Sequence, residues 1–194
     1  MFSFHPKQHQ QNFMHEWQKV FPPERLFFLG VTSAKQAQTI CHGYWQLFNH
    51  YHASKHLGII DQHHNSVLPY LTVKENILMS QENTMTWRNE QPQWGQHAIE
   101  RDFLEKSGKD LAPLDHFYIQ FYRQIVGRKS VILVNMILDH LQPEVVREII
   151  TRLTATLRDT KATIIVLTAN QDLLSANPQD RLDEIPSFKI KTKK

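Results

Sequence analysis

Residues 130–143 read S-V-I-L-V-N-M-I-L-D-H-L-Q-P, the clearest strand–loop–helix signal in the chain. Val131 to Val134 is a continuous apolar run of strand length, which predicts a strand buried on both faces. A turn-like break follows. Pro143, Glu144, Val145 and Val146 then open a helix, with proline at an early position where its missing N–H removes no intrahelical bond. A buried strand that ends on a polar residue and leads through a loop into a helix often floors a phosphate site. Here the strand delivers Asn135 and Met136, an amide and a thioether, where two carboxylates would be needed.

The same alternation runs outward in both directions. Upstream, Arg25 to Gly30 (R-L-F-F-L-G) predicts a buried strand closing on glycine, and Ala34 to Tyr51 a helix with Ile40, Tyr44, Leu47, Phe48 and Tyr51 on one side. Asn12 to Phe21 has helical spacing before the Pro22-Pro23 break, and Phe2 and Phe4 alternate as in an edge strand. Leu57 to Asp61 predicts another strand. Thr72 to Met79 predicts a short helix, with Thr72 and Glu75 in capping-box spacing. Ser80 to Gly95 is a polar insertion holding Trp87 and Trp94, and Gln96 to Lys106 has helical character. Asp115 to Val126 carries a two-wide apolar stripe, Phe117, Tyr118, Phe121, Tyr122, Ile125 and Val126. Downstream, a helix from Pro143 to about Asp159 leads into a strand at Ala162 to Leu167. A short helix at Gln171 to Ala176 and an edge strand at Ile185 to Ile190 follow. Wholly apolar strands alternating with helices predict an α/β fold with a mostly parallel sheet flanked by helices. The 194 residues suit one domain, with about residues 80–127 as a small helical insertion within it.

Composition narrows the setting. The apolar fraction of 41% excludes a disordered chain. Cys41 is the single cysteine, so no internal disulfide can form, which fits a reducing cytoplasm. No run approaches the roughly 18 apolar residues of a membrane span, so a membrane role would come through a partner. The net charge is +3, and Lys189, Lys191, Lys193 and Lys194 make a basic tail, read as solvated. His50, His52 and His56, and the pair His63-His64, have metal-like spacing; with 12 histidines such pairs arise by chance, and no metal is expected. Asp139 and His140, with no serine or cysteine motif pointing at them, read as surface residues.

Taken in order, the pieces resemble the ATP-binding domain of ABC transporters, a P-loop NTPase fold, from about Glu24 to Leu182. The strongest local likeness is Ile60 to Ser80, I-I-D-Q-H-H-N-S-V-L-P-Y-L-T-V-K-E-N-I-L-M-S. It is similar to the family's Q-loop segment, in which a glutamine, here Gln62, ends a strand and a "TVxENi" helix follows. The register of Ser130 to Pro143, with Leu141 and Pro143, is the second likeness.

The family's catalytic motifs are eroded. Its phosphate loop, G-x-x-x-x-G-K-[ST], wraps phosphates in backbone N–H groups and bridges them with lysine. Here Gly30-Val31-Thr32-Ser33-Ala34-Lys35-Gln36-Ala37 keeps the first glycine. Lys35 stands in place of the second glycine, Gln36 in place of the lysine and Ala37 in place of the Mg²⁺-binding hydroxyl. Asn135 and Met136 stand where the resemblance implies the metal-holding aspartate and the catalytic glutamate. The signature L-S-G-G-Q aligns with Leu111-Ala112-Pro113-Leu114-Asp115, and the switch histidine with Ala169. An adenine platform would have to come from Phe4, Phe13 or Trp17, and the segment before Gly30 is short for the family.

The resemblance therefore implies a catalytically inactive homologue with no ATPase activity and neither ATP nor Mg²⁺ expected. Residual nucleotide contacts would fall on Gly30, Ser33, Lys35, Gln36, Gln62 and Asn135. The family's permease-docking surface corresponds to Gln62, Leu71, Thr72, Val73, Asn76 and Ile77. Expected partners are a membrane permease, an intact ABC ATPase subunit or a second copy of the chain, at the cytoplasmic face of a membrane. One rival is an ATP-binding transport subunit that uses Lys35 in a rebuilt phosphate loop. Another is a soluble regulator that binds nucleic acid through the basic tail, although no such binding motif is present. A wide loop at 30–38 with converging N–H groups would favour nucleotide; a collapsed loop filled by Gln36 or Lys35 would favour the noncatalytic reading.

Overall fold

The computed structural model describes residues 6–61, 67–79 and 100–182. Among the described residues five strands form one sheet: β1 (Leu26–Gly30), β2 (Leu57–Asp61), β3 (Val131–Asn135), β4 (Thr163–Thr168) and β5 (Arg181–Leu182). Their order across the sheet is β2-β3-β4-β1-β5, and every pair is parallel. Parallel strands need long crossovers, and the helices that make them cover both faces. The helices are α1 (Pro6–Val20), α2 (Ala34–His50), α3 (Val73–Leu78), α4 (Arg101–Glu105), α5 (Pro113–Val126), α6 (Pro143–Thr160) and α7 (Gln171–Ala176). The α/β fold with a parallel sheet flanked by helices is as the apolar runs predict.

Because side chains alternate along a strand, each strand feeds two cores. Phe27, Leu29, Val131, Leu133, Ile165 and Leu167 point to the face under α1 and α2. Phe28, Ile60, Ile132, Val134, Ile164 and Val166 point to the face under α3, α5, α6 and α7. The aromatic stripe of α5 lies in this second core, with Phe117, Tyr118, Phe121 and Tyr122 all buried. It is therefore sheet-facing core, not a surface held open for a partner.

Several boundaries move. Helix α1 begins at Pro6, ahead of the Asn12 start; Lys7, Gln8, His9 and Gln11 are exposed and only Gln10 is partly buried, so no apolar period marks these first turns. Helix α5 begins at Pro113, two residues early, with the proline at its first position. The edge strand beside β1 is Arg181–Leu182. The segments with Phe2 and Phe4, with Trp87 and Trp94, and with Ile185 to Ile190 lie outside the described residues, as does the basic tail.

Cys41 lies on the inner face of α2 and is 7% exposed. Burial, with a further push from the Asp61 charge, raises its thiol to about 12. At pH 8 only about one thiol in 10⁴ would be ionised. Labelling by a disulfide reagent should run at least about a thousandfold slower in the native protein than in denaturant. Native labelling at the unfolded rate would show that the α1–α2 layer does not cover this residue.

Candidate functional site

Ligands of open parallel sheets sit beyond the carboxyl ends of the strands. At that edge the chain presents Gly30, Asp61, Asn135 and Thr168, the last residues of β1 to β4. Gly30 and Asn135 are separated by β4, which places them about 10 Å apart at the usual strand spacing.

The joint after β1 is tight. Three residues, Val31, Thr32 and Ser33, link Gly30 to the first residue of α2. The Val31 N–H donates to the Thr168 carbonyl and extends the ladder, at 2.9 Å. The Thr32 N–H donates to the Gln36 side-chain oxygen at 2.6 Å, and the Thr32 hydroxyl bonds the same oxygen at 2.7 Å. Ser33 caps the helix, its hydroxyl accepting from the Gln36 N–H at 3.2 Å and its carbonyl from the Ala37 N–H at 3.0 Å. Between Val31 and Ala37, four backbone N–H groups are thus already spoken for by the joint and its neighbours. Lys35 is exposed on the first turn of α2, at the positive end of the helix dipole. The Gln36 side chain folds back onto Thr32 and closes the turn after β1.

Asn135 is 8% exposed at the end of β3. Its side-chain N–H donates to the Asp61 carboxylate at 3.0 Å, across the directly paired register position. That bond fixes which way the amide points, and its oxygen is buried with no hydrogen-bond partner among the described residues. Met136, the next residue, adopts a left-handed backbone conformation with φ 52° and leads into a 3-10 turn, Ile137–His140. The pair therefore presents one neutral amide oxygen and a thioether at the end of β3.

Asp139 is not a plain surface residue. Its carboxylate accepts from the Thr168 hydroxyl and, at 2.7 Å, from the Ala169 N–H. This clamp ties the turn after β3 to the end of β4. Asn170 then caps α7, accepting from the Asp172 and Leu173 N–H groups. Ala169, which the resemblance aligned with a switch histidine, is held by its backbone N–H and has only a methyl side chain.

The segment at the signature position is closed in the same manner. Pro113 starts α5, and the Asp115 carboxylate reaches back to the Ala112 N–H at 3.0 Å while pairing with Lys106 at 3.3 Å. The helix N-terminus therefore carries its own anion.

The predicted docking residues separate into two groups. Thr72 and Glu75 form the expected capping box, and Leu71 and Thr72 are partly exposed. Val73, Asn76 and Ile77, however, are 0% exposed and cannot be contact side chains. They face inward because α3 packs on α5. Asn76 accepts from the Leu68 N–H at 2.8 Å and donates to the Leu68 and Thr72 carbonyls at 2.9 and 3.0 Å. The Arg123 guanidinium donates to the Asn76 backbone and side-chain oxygens at 2.6 and 3.0 Å. Gly108 completes the knot: a Cβ there would sit 2.5 Å from the Leu68 carbonyl oxygen. The outward side chains are Tyr70 and Met79, 72% and 55% exposed, with Lys74 and Glu75. Gln62 lies outside the described residues.

Phe13 and Trp17 are excluded as adenine platforms, being 0% and 1% exposed in the α1–α2 layer. Phe4 lies outside the described residues. Asp61 and Asp139 were not among the site residues that the sequence pointed to. Only strand register and a turn bring them to Asn135 and Thr168.

Known structures share this arrangement. Over 79% of this chain and 70% of its own, cbiO1 from Clostridium perfringens, part of the ABC transporter complex cbiONQ, superposes with a TM-score of 0.62 at 13% identity. The fold is that of an ABC ATP-binding domain. The ATP-binding cassette MJ0796, a dimer bound to ADP and phosphate, matches 79% of this chain and 78% of its own with a TM-score of 0.56 at 14% identity. A bacterial Atm1-family ABC exporter with ATP bound matches 84% of this chain and 34% of its own, TM-score 0.55, at 15% identity. No protein-family model and no curated protein sequence matches the chain. At these identities the ABC-domain likeness is one of fold alone.

Proposed function

We propose that this chain is a noncatalytic homologue of an ABC ATP-binding domain, serving as a structural or regulatory subunit beside a membrane permease or an intact ATPase subunit. The observation that carries this reading is the Gln36 side chain bonded into the Gly30–Ala34 joint. A phosphate there would have to displace it and would still meet no lysine at that position. Asn135 and Met136 deepen the reading, because an amide tied to Asp61 and a thioether offer no base to an attacking water. The Asp115 carboxylate already occupies the N–H at the start of α5 that a phosphate from a second subunit would need. The proposed location is the cytoplasmic face of a membrane, reached through the partner. Among the described residues no helix is long and apolar enough to cross one.

Mg·ATP at millimolar concentration is expected to leave the thermal midpoint within about 1 °C. A ligand at a hundred times its Kd would add about 2.7 kcal/mol and raise the midpoint of a chain this size by roughly 5–10 °C. Phosphate release should match that of the Lys35→Ala variant. A clear shift, or turnover above that control, would establish the rival reading of a rebuilt phosphate loop.

Docking has its own test. Tagged chain recovered from detergent extracts should carry ABC permease or ATPase subunits, quantified by mass spectrometry. Tyr70→Glu with Met79→Glu changes exposed side chains and should leave the fold intact while lowering that recovery at least about tenfold. Undiminished recovery with a folded variant would remove this face from consideration.

A further inference from the structure

At the opposite end of the sheet, under the amino ends of β2, β3 and β4, lies an open groove of about 940 Å³. Four permanent cations from three separate connections line it: Lys55, Arg128, Lys129 and Lys161. His15 and His56 lie among them, and among the described residues none that lines the groove is acidic. From these placements we propose that the groove binds a small, multiply charged anion such as a compound bearing two or more linked phosphates.

The plainer explanation is that cations gather where helices end, and α5 and α6 both end here. Two helix C-termini present about one negative charge between them. Four cations exceed that severalfold, and Lys55 belongs to neither helix. Arg128 and Lys129 also engage other groups, so an anion would meet the summed field. That field registers on His56, whose imidazole is held below its usual range by burial and, after that, by Lys55 and Lys129.

Neutral polar side chains also line the groove. The Gln10 side-chain nitrogen is buried with no hydrogen-bond partner among the described residues. The Ser130 hydroxyl is fixed 3.0 Å from His56 Nδ1. The volume is at the upper end for a small-molecule site, large enough for a triphosphate with an organic group attached. A duplex spreads its contacts over a broad face, whereas these cations converge on one groove, and this favours the small ligand.

Backbone conformation supplies suitable variants. Arg128 and Lys161 have φ of 53° and 54°, the left-handed region in which glycine is unstrained. Replacing both by glycine removes two charges and relieves strain, so the double variant should fold at least as well as the wild type. Calorimetric titration with sodium triphosphate at low ionic strength should show one saturable site, weakened at least tenfold in Arg128→Gly/Lys161→Gly. Should that variant prove unfolded by circular dichroism, Lys55→Gln/Lys161→Gln takes its place with the same expectation. Lys35→Ala, at the far edge of the sheet, tells this groove from the phosphate-loop position. Three results would each overturn the assignment: no saturable binding, affinity unchanged by the charge-removing variant, or affinity lost only in Lys35→Ala. So would a short DNA duplex binding where triphosphate does not.

Discussion

Asn76→Ala lowers the unfolding free energy by about 3–5 kcal/mol, read by urea denaturation. The side chain is 0% exposed and meets the Leu68 N–H, the Leu68 and Thr72 carbonyls and Arg123. Truncation leaves several of these groups buried without their partner, at about 1–3 kcal/mol for each unsatisfied group. Arg123 adds to the loss because burial already holds its guanidinium below its usual pKa, a sign that the charged form is poorly solvated there. Lys74→Ala, on the outer side of the same short helix, should stay within about 0.5 kcal/mol. The contrast is the informative quantity. A loss below about 1 kcal/mol in Asn76→Ala would mean that residues 67–72 are not stapled to α5. Asn76 could then face a partner as the family pattern implies.

Trp17→Ala is expected to cost about 3–5 kcal/mol and to lower the thermal midpoint by roughly 6–20 °C. The indole is 1% exposed and packs among Phe21, Phe48 and Tyr44 with ring centroids at 4.7, 4.9 and 5.4 Å. No smaller neighbour can fill the space, since Phe13 and Phe48 are themselves fully enclosed in an edge-to-face pair at 5.0 Å. Removing the indole also weakens the seat of α1, the element that covers the α2 face of the sheet. Trp17→Phe keeps an aromatic ring and should recover most of the loss. Were Trp17→Ala to unfold at the wild-type urea midpoint, α1 would not be docked in solution.

The strands were legible because burial on both faces forces a continuous apolar run, and Val131 to Val134, Leu57 to Ile60 and Ile164 to Leu167 show it. Helix starts were less so. Lys7 to Gln11 is polar and mostly solvent-facing, so no period marks it, whereas Thr72 announces α3 through its own capping chemistry. The orientation of α3 was not legible at all. Val73 and Ile77 lie one turn apart and form an apolar pair that suits a core or a partner equally. Only the presence of α5 beneath them turns the pair inward.

The same division holds at the carboxyl edge. By itself the sequence determined which groups are present, an amide and a thioether at Asn135 and Met136 and a glutamine at Gln36, because side-chain chemistry belongs to the residue. Tertiary structure alone decided what those groups do: Gln36 closes the turn after β1, Asp61 meets Asn135 across paired strands, and Asp139 clamps the end of β4. Asp61 and Asn135 are 74 positions apart. A hydrogen bond between them depends on strand register, and register is set by how the whole sheet buries its apolar faces, not by any run of residues near either one.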